Sequence, residues 1–300
     1  MPHSLFPEAD KIKALPCWNG AIEISILKGG LSNANYLVED ANGKHVVRFG
    51  LDYPFHHVLR EREAMVARAA HAAGLAPAVR FSAGGVLVSQ YLGAKTFTEA
   101  DVRNNAIRIG CLLKKFHSLL PAHVTGPGFM FWVFHVIRDY IATLRTKNHP
   151  HTDEFAAFLQ HAAAFETVQV PLPIIFGHND LLPANILDDG EKLWLIDFEY
   201  AGFNTAMFDL AGAASNAQMN EAQSEQLVSA YLDNAPDAHF ARAFAAMKCA
   251  SLLRETLWAM VSGQFLNAPG ADYGAYTIEN RSRYETALDG YQSVYGRLSQ

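Results

Sequence analysis

Apolar and polar positions change their rhythm partway along the chain. Up to about residue 90 the runs are short and strand-like, whereas after Gly93 apolar residues recur with the helical period of about 3.6. Ala21 to Leu27 alternates, and Asn35 to Val38 and His45 to Phe49 are short runs of strand-forming residues. Asn42-Gly43, between the last two, is the pair a tight hairpin turn favours, so these runs are expected to pair. A helix is expected from about Phe55 to Ala73, stopped by Gly74 as a cap and by Pro77. Val79 to Phe81 and Gly85 to Tyr91 are two more strand candidates. The expectation is a five-stranded antiparallel lobe carrying one helix.

Helices are predicted over Ala100 to Leu120, Phe129 to Thr146, Glu154 to Phe165, Glu221 to Leu232, His239 to Gly263 and Gly274 to Leu298. Asn185 to Asp197 is the one strand-like stretch in this half. The fold class is therefore α+β, with a small β-rich lobe over residues 1–92 and a larger helical lobe over 93–300. A cleft between two such lobes is a usual place for a ligand.

Composition narrows the function. With 24 basic and 30 acidic residues the formal charge is −6, and no run of Lys and Arg forms a basic stripe, so nucleic acid is not the expected partner. Pro2, Pro7, Glu8, Asp10, Lys11 and Lys13 interrupt the first residues, and the apolar stretch Phe129 to Ile137 is too short to span a bilayer. A cytoplasmic protein without membrane contact is expected. Cys17, Cys111 and Cys249 are widely spaced and form no metal pattern, which suits a reducing compartment.

The most informative segment is Phe176-Gly177-His178-Asn179-Asp180-Leu181-Leu182-Pro183-Ala184-Asn185, followed after a turn at Asp189-Gly190 by Leu193-Trp194-Leu195-Ile196-Asp197-Phe198-Glu199. Two short apolar runs about that turn predict a β-hairpin. If its pairing is centred near residue 191, Asn185 and Asp197 face each other. An amide oxygen beside a carboxylate is a hard-oxygen pair suited to Mg²⁺, which usually takes one or two protein ligands and leaves other positions to water and phosphate. Asp180, in the loop before them, can take the proton of an attacking hydroxyl, and phosphoryl transfer needs little more.

His178-Asn179-Asp180 with Asn185, followed by Ile196-Asp197-Phe198-Glu199-Tyr200, resembles the catalytic loop and metal segment of the aminoglycoside phosphotransferase and choline/ethanolamine kinase superfamily. The resemblance implies a bilobal protein-kinase-like fold, ATP and Mg²⁺ as cofactors, Asp180 as base, and Asn185 and Asp197 as metal ligands. Protein kinases fit less well, because Asn179 and Glu199 stand where they carry arginine and glycine. Only eleven residues separate Asp197 from Asp209, which leaves no room for an activation loop. On the nucleotide side, Gly29-Gly30 with Ser32 and Asn33 would let backbone N–H groups approach phosphate. Val46-Val47-Arg48-Phe49 resembles the family's third strand, with Arg48 on the phosphates. Of Glu61 and Glu63, two apart on a helix, only one can face the cleft; the resemblance favours Glu63. Gln90-Tyr91-Leu92 resembles the hinge that meets adenine, and Asp209 resembles a scaffold aspartate of the catalytic loop.

For the acceptor, Tyr200, Trp258, Tyr273 and Tyr276 match segments that build the aromatic cation pocket of choline kinases, with Glu199 beside them. Glu255 stands where another tryptophan is common, and Asn216 stands where an acidic residue is expected. A carboxylate would thus have moved from one wall to another. The implied acceptor is a cationic amino alcohol, choline or ethanolamine, with thiamine, an aminoglycoside or a sugar as alternatives and a non-catalytic nucleotide-binding regulator as a different class. A homodimer is left open. His56-His57 and His149-Pro150-His151 receive no role, and Arg60 and Arg62 are taken to be surface ion-pair partners if the glutamates do not face the cleft.

Overall fold

The computed structural model describes residues 8–27, 34–147, 149–266 and 271–298. Gly30, Ser32 and Asn33, expected near phosphate, lie outside the described residues. Strands β1 (Glu23–Ile26), β2 (Ala34–Asp40), β3 (Gly43–Phe49), β4 (Val79–Ala83) and β5 (Val86–Gln90) form one antiparallel sheet in the order β1-β2-β3-β5-β4. The β2–β3 hairpin closes on the pair Asp40↔Gly43, where Gly43 takes the positive φ of 114° that a side chain disfavours. Alternation along these strands buries Tyr36, Val38, Val47 and Val88 on one face. Ile12 covers that cluster from α1 (Ala9–Lys13), a short helix whose few residues give too little periodicity to be read in advance.

The helix expected from Phe55 begins later. Pro54–His56 is a single 3-10 turn, His57 is left-handed with φ 59°, and α2 runs over Arg60–Ala72. Leu59 is extended at its start, so the two short pieces cannot merge. Ala73 and Gly74 end α2 with bonds to Ala69 and His71.

The helical region also holds small strands. Besides β6 (Lys95–Thr96), β7 (Ile174–Gly177) pairs with β10 (Gly202–Thr205), and β8 (Ile186–Asp188) pairs with β9 (Leu193–Leu195). The expectation of one strand-like stretch here is therefore corrected: β7 and β10 are four residues each and separated by residues 178–201, which hides their pairing from local pattern. The β8–β9 register also differs from the expected one. Ile186 pairs with Leu195 and the ladder is centred between Gly190 and Glu191, so Asn185 accepts from the N–H of Ile196 at 3.1 Å. Asp197 follows one residue later.

Helices α3 (Glu99–Asn104) and α4 (Ala106–Leu119) replace the single helix expected over Ala100 to Leu120. Asn105 divides them by bonding its side chain to the carbonyl of Asp101 at 2.8 Å, a local bond that competes with the helix ladder. Then come α5 (Val133–Thr146), α6 (Phe155–Thr167), α7 (Ala206–Asn216), α8 (Glu221–Leu232), α9 (Ala238–Phe265) and α10 (Tyr273–Tyr295). Helix α7 was not expected. All eleven of its residues are buried, so it carries no polar stripe from which a helical period could be recognised. Central α9 packs against α5, α6, α7 and α10. No described helix is long and apolar enough to cross a membrane.

Candidate active site

The catalytic segment leaves β7 at Gly177, where a side chain would put its first carbon 2.8 Å from the Asn179 amide oxygen. Asp209, in the first turn of α7, accepts the backbone N–H groups of His178 and Asn179, each at 2.7 Å, and lies 2.8 Å from Nε2 of His117. Burial alone would raise the Asp209 carboxyl, but the His117 bond and these N–H groups hold it below the usual range. Asn179 is left-handed at φ 62°, and its amide donates to the carbonyls of Tyr200 (3.1 Å) and Gly202 (3.2 Å) while accepting from Asn204 (3.0 Å). A non-glycine residue keeps such a backbone only where its surroundings over-determine it. The loop is thus pinned at the two residues before Asp180.

Asp180 stands partly exposed in the wall of a cavity of about 580 Å³, which Asn185, Asp197, Arg48 and Glu63 also line. Loss of hydration raises its carboxyl well above the usual range; Arg254 opposes this from 3.7 Å, while Glu255, Glu199 and Asp197 add to it. Asn185 commits its amide nitrogen to the Asp180 carbonyl at 2.8 Å, so its oxygen is the end left to act as a ligand. Asp197 is left-handed at φ 66°, the second such residue in the site. Burial would raise its carboxyl, but Arg48, donating to Oδ1 at 2.7 Å, keeps it lowered and ionised. One amide oxygen and one ionised carboxylate are donors of the kind Mg²⁺ takes beside water and phosphate. Among the described residues no group of three or more His, Cys, Asp or Glu side chains could hold a metal by itself.

On the sheet side, Arg48 pairs with Glu63 of α2, while Glu61 is exposed. Arg60, a surface partner only if the glutamates turned away from the cleft, is buried: it donates to Glu63 at 2.7 Å and to Glu199 at 3.0 Å. Arg62 likewise reaches inward, bonding the Glu199 carbonyl at 3.0 Å and lying 3.8 Å over the Phe129 ring. Two arginines thus tie α2 to the segment after Asp197, a linkage that alternating charges on a helix do not reveal. Burial, with Asp197 next, raises the Glu199 carboxyl against Arg60. Gln90, Tyr91 and Leu92 line the same cavity at the end of β5.

The cavity's far wall is Tyr200, Arg254, Glu255, Trp258 and Tyr276. Trp258 donates its Nε1–H to the Tyr200 hydroxyl at 2.8 Å. Two expected acceptor residues lie off the cavity wall. Tyr273 stands steeply inclined to Trp258 with ring centroids 6.1 Å apart, and Asn216 is buried with its amide on the Leu181 carbonyl at 3.2 Å. Asn216 occupies the last position of wholly buried α7, so its side chain braces the catalytic loop. Two contacts here were not expected. Glu255 is paired with buried Arg254, and the Arg254 guanidinium lies 4.4 Å over the Tyr200 ring, which is itself 4% exposed. Nothing in the sequence around Arg254 signals this, because the arginine sits mid-helix in apolar surroundings. His56, given no role, is buried against Trp258.

A second hollow, of about 700 Å³ between α2 and the β4–β5 turn, holds none of Asp180, Asn185 and Asp197.

The sequence model of the choline/ethanolamine kinase family matches residues 24–284. Protein LicA from Haemophilus influenzae is 25% identical over 84% of this chain and 76% of its own length. A probable ethanolamine kinase from Arabidopsis thaliana is 30% identical over 61% of this chain and 53% of its own length. The crystal structure of a choline/ethanolamine kinase family protein from Mesorhizobium loti is similar, with a TM-score of 0.76 and 27% identity over 94% of each chain. The chain belongs to the choline/ethanolamine kinase family and is a small-molecule kinase.

Proposed function

We infer that this kinase moves the γ-phosphoryl group of ATP onto the hydroxyl of choline or ethanolamine. The observation that carries the reading is one cavity whose wall holds Asp180, Asn185 and Asp197, with Arg48 and the β5 end toward one side and Trp258, Tyr276 and Glu255 toward the other. The nucleotide is assigned to the side of residues 1–92, its phosphates near Arg48 and its base near Gln90 and Leu92. The acceptor is assigned to the side of residues 93–300.

Asp180 receives the proton of the acceptor hydroxyl as the oxygen attacks phosphorus. Its raised carboxyl suits that task, since a base of higher pKa takes a proton more readily once ionised. Arg48, fixed by Glu63, neutralises phosphate charge, the planar guanidinium being well shaped for two oxygens. Asn185 and Asp197 would hold Mg²⁺, which when bound neutralises charge on the phosphate oxygens. The Trp258 ring and the Glu255 carboxylate receive the ammonium group, the ring through its face. Tyr200 acts by holding Trp258 and Arg254 rather than by offering a face of its own. A cytoplasmic setting fits three cysteines that form no disulfide.

A coupled ADP-release assay with Mg-ATP over choline, ethanolamine, thiamine, homoserine and aminoglycosides tests the reading. Acceptor-dependent ADP release with choline or ethanolamine is expected. Release confined to thiamine or an aminoglycoside would overturn the amino-alcohol assignment.

A further inference from the structure

His56 lies behind the acceptor wall, on the turn that leads into α2. It is 2% exposed, and its imidazole lies flat against the Trp258 indole, with centroids 5.2 Å apart and planes inclined by 21°. Its Nδ1 is 3.1 Å from the Tyr140 hydroxyl and its Nε2 is 2.9 Å from the Ser262 hydroxyl. A hydroxyl can either donate or accept, so both ring nitrogens are satisfied by a neutral imidazole. Burial, helped by the Arg254 and His57 charges, pushes its pKa well below the ordinary value and keeps it in that form. The neighbours fix the same turn: Phe55 stacks on Phe265 of α9 at 4.6 Å, and His57 Nε2 is 2.8 Å from Asp139 of α5.

Trp258 is held from other directions as well. Its Nε1–H is on Tyr200, and Tyr273 and Tyr276 meet it edge-on at 6.1 and 5.8 Å. An indole attracts a cation through its face. One face lies against His56 and the ring lines the cavity, so the opposite face is the one assigned to the ligand.

We propose that His56 is a positioning residue for the acceptor: stacked behind Trp258, it sets the plane of the indole so that the free face meets the ammonium group. The inference rests on Trp258 being the acceptor wall, as assigned above. It gives the turn before α2 a second task, because four residues later the same chain supplies Arg60 to Glu63 and Glu199.

Steady-state kinetics with ethanolamine and with choline, each varied at saturating Mg-ATP and the reverse, test it in wild type, His56→Ala and His56→Phe. His56→Ala is expected to raise the acceptor KM by about 5- to 30-fold, no more than loss of the Trp258 ring itself, since a loosened ring misplaces the head group. The KM for ATP should stay within about 2-fold, because ATP is assigned to the opposite side of the cavity. His56→Phe restores the flat ring without its hydrogen bonds and should return the acceptor KM to within about 3-fold of wild type. If His56→Ala does not fold, His56→Gln, which lacks the ring but keeps polar ends for both hydroxyls, must show the same split. An unchanged acceptor KM in the ringless variant, an equal rise in both KM values, or no recovery in His56→Phe would overturn the proposal. A wild type that transfers phosphate to no amino alcohol would overturn the proposed function, and this inference with it.

Discussion

At the scale of single residues the proposed base is Asp180, and its surroundings explain why replacing it is informative. The loop is fixed by Asp209 and Asn179, not by the Asp180 carboxylate, so Asp180→Asn should keep the fold and the ATP affinity. Its kcat should fall by about 10² to 10⁴, the usual loss when a general base is removed. A variant retaining more than about a tenth of wild-type kcat would contradict the assignment. Trp258→Leu should raise the acceptor KM by about 2- to 30-fold, the equivalent of a cation–π contact of about 0.5 to 2 kcal/mol, with the ATP KM unchanged. Equal effects on both substrates would place Trp258 outside the acceptor wall. That Asp180, Asn185 and Asp197 share one cavity was readable, because their order along the chain matches what phosphoryl transfer asks for. Arg254 and His56 were not, since each matters through a partner far away in sequence: Arg254 over Tyr200, and His56 on Trp258 and Ser262.

Helix α7 shows at the scale of elements how a buried segment escapes detection and still governs the site. Its eleven residues have no polar face, yet its first turn delivers Asp209 to the catalytic loop and its last residue braces Leu181. The strands of the first sheet were legible because one face is buried and the other is not. The β7–β10 pair was hidden, because its strands are short and distant in sequence. Asp209 also gives a pH dependence. Its carboxyl is lowered on folding, so the stabilisation it supplies is present above about pH 4, the value of an unperturbed aspartate, and is lost as pH falls through the lower folded value. Thermal melts between pH 3 and pH 7 should show this loss in wild type and a shallower acid limb in Asp209→Asn. Parallel limbs in the two proteins would mean that Asp209 is not held lowered in the fold.

At the scale of the molecule, a β-sheet region and a helical region meet around one cavity, and the change of hydrophobic period near Gly93 marks where one gives way to the other. Their junction is more charged than the sequence suggests. Arg48, Arg60, Glu63, Asp197 and Glu199 form a chain of ion pairs across it, and the turn at His56 adds an aromatic contact. Such a junction ties the sheet region to the helical region beside the cavity.

The account's central claim is that this cavity passes phosphate from ATP to an amino alcohol, and ³¹P NMR of the wild-type reaction tests it most directly. With Mg-ATP and ethanolamine or choline, a phosphomonoester resonance should grow as the γ-phosphate signal of ATP declines, in equal amounts, and should be lost with Asp180→Asn. ATP consumed only to ADP and inorganic phosphate, or a phosphomonoester that Asp180→Asn still forms at the wild-type rate, would contradict it.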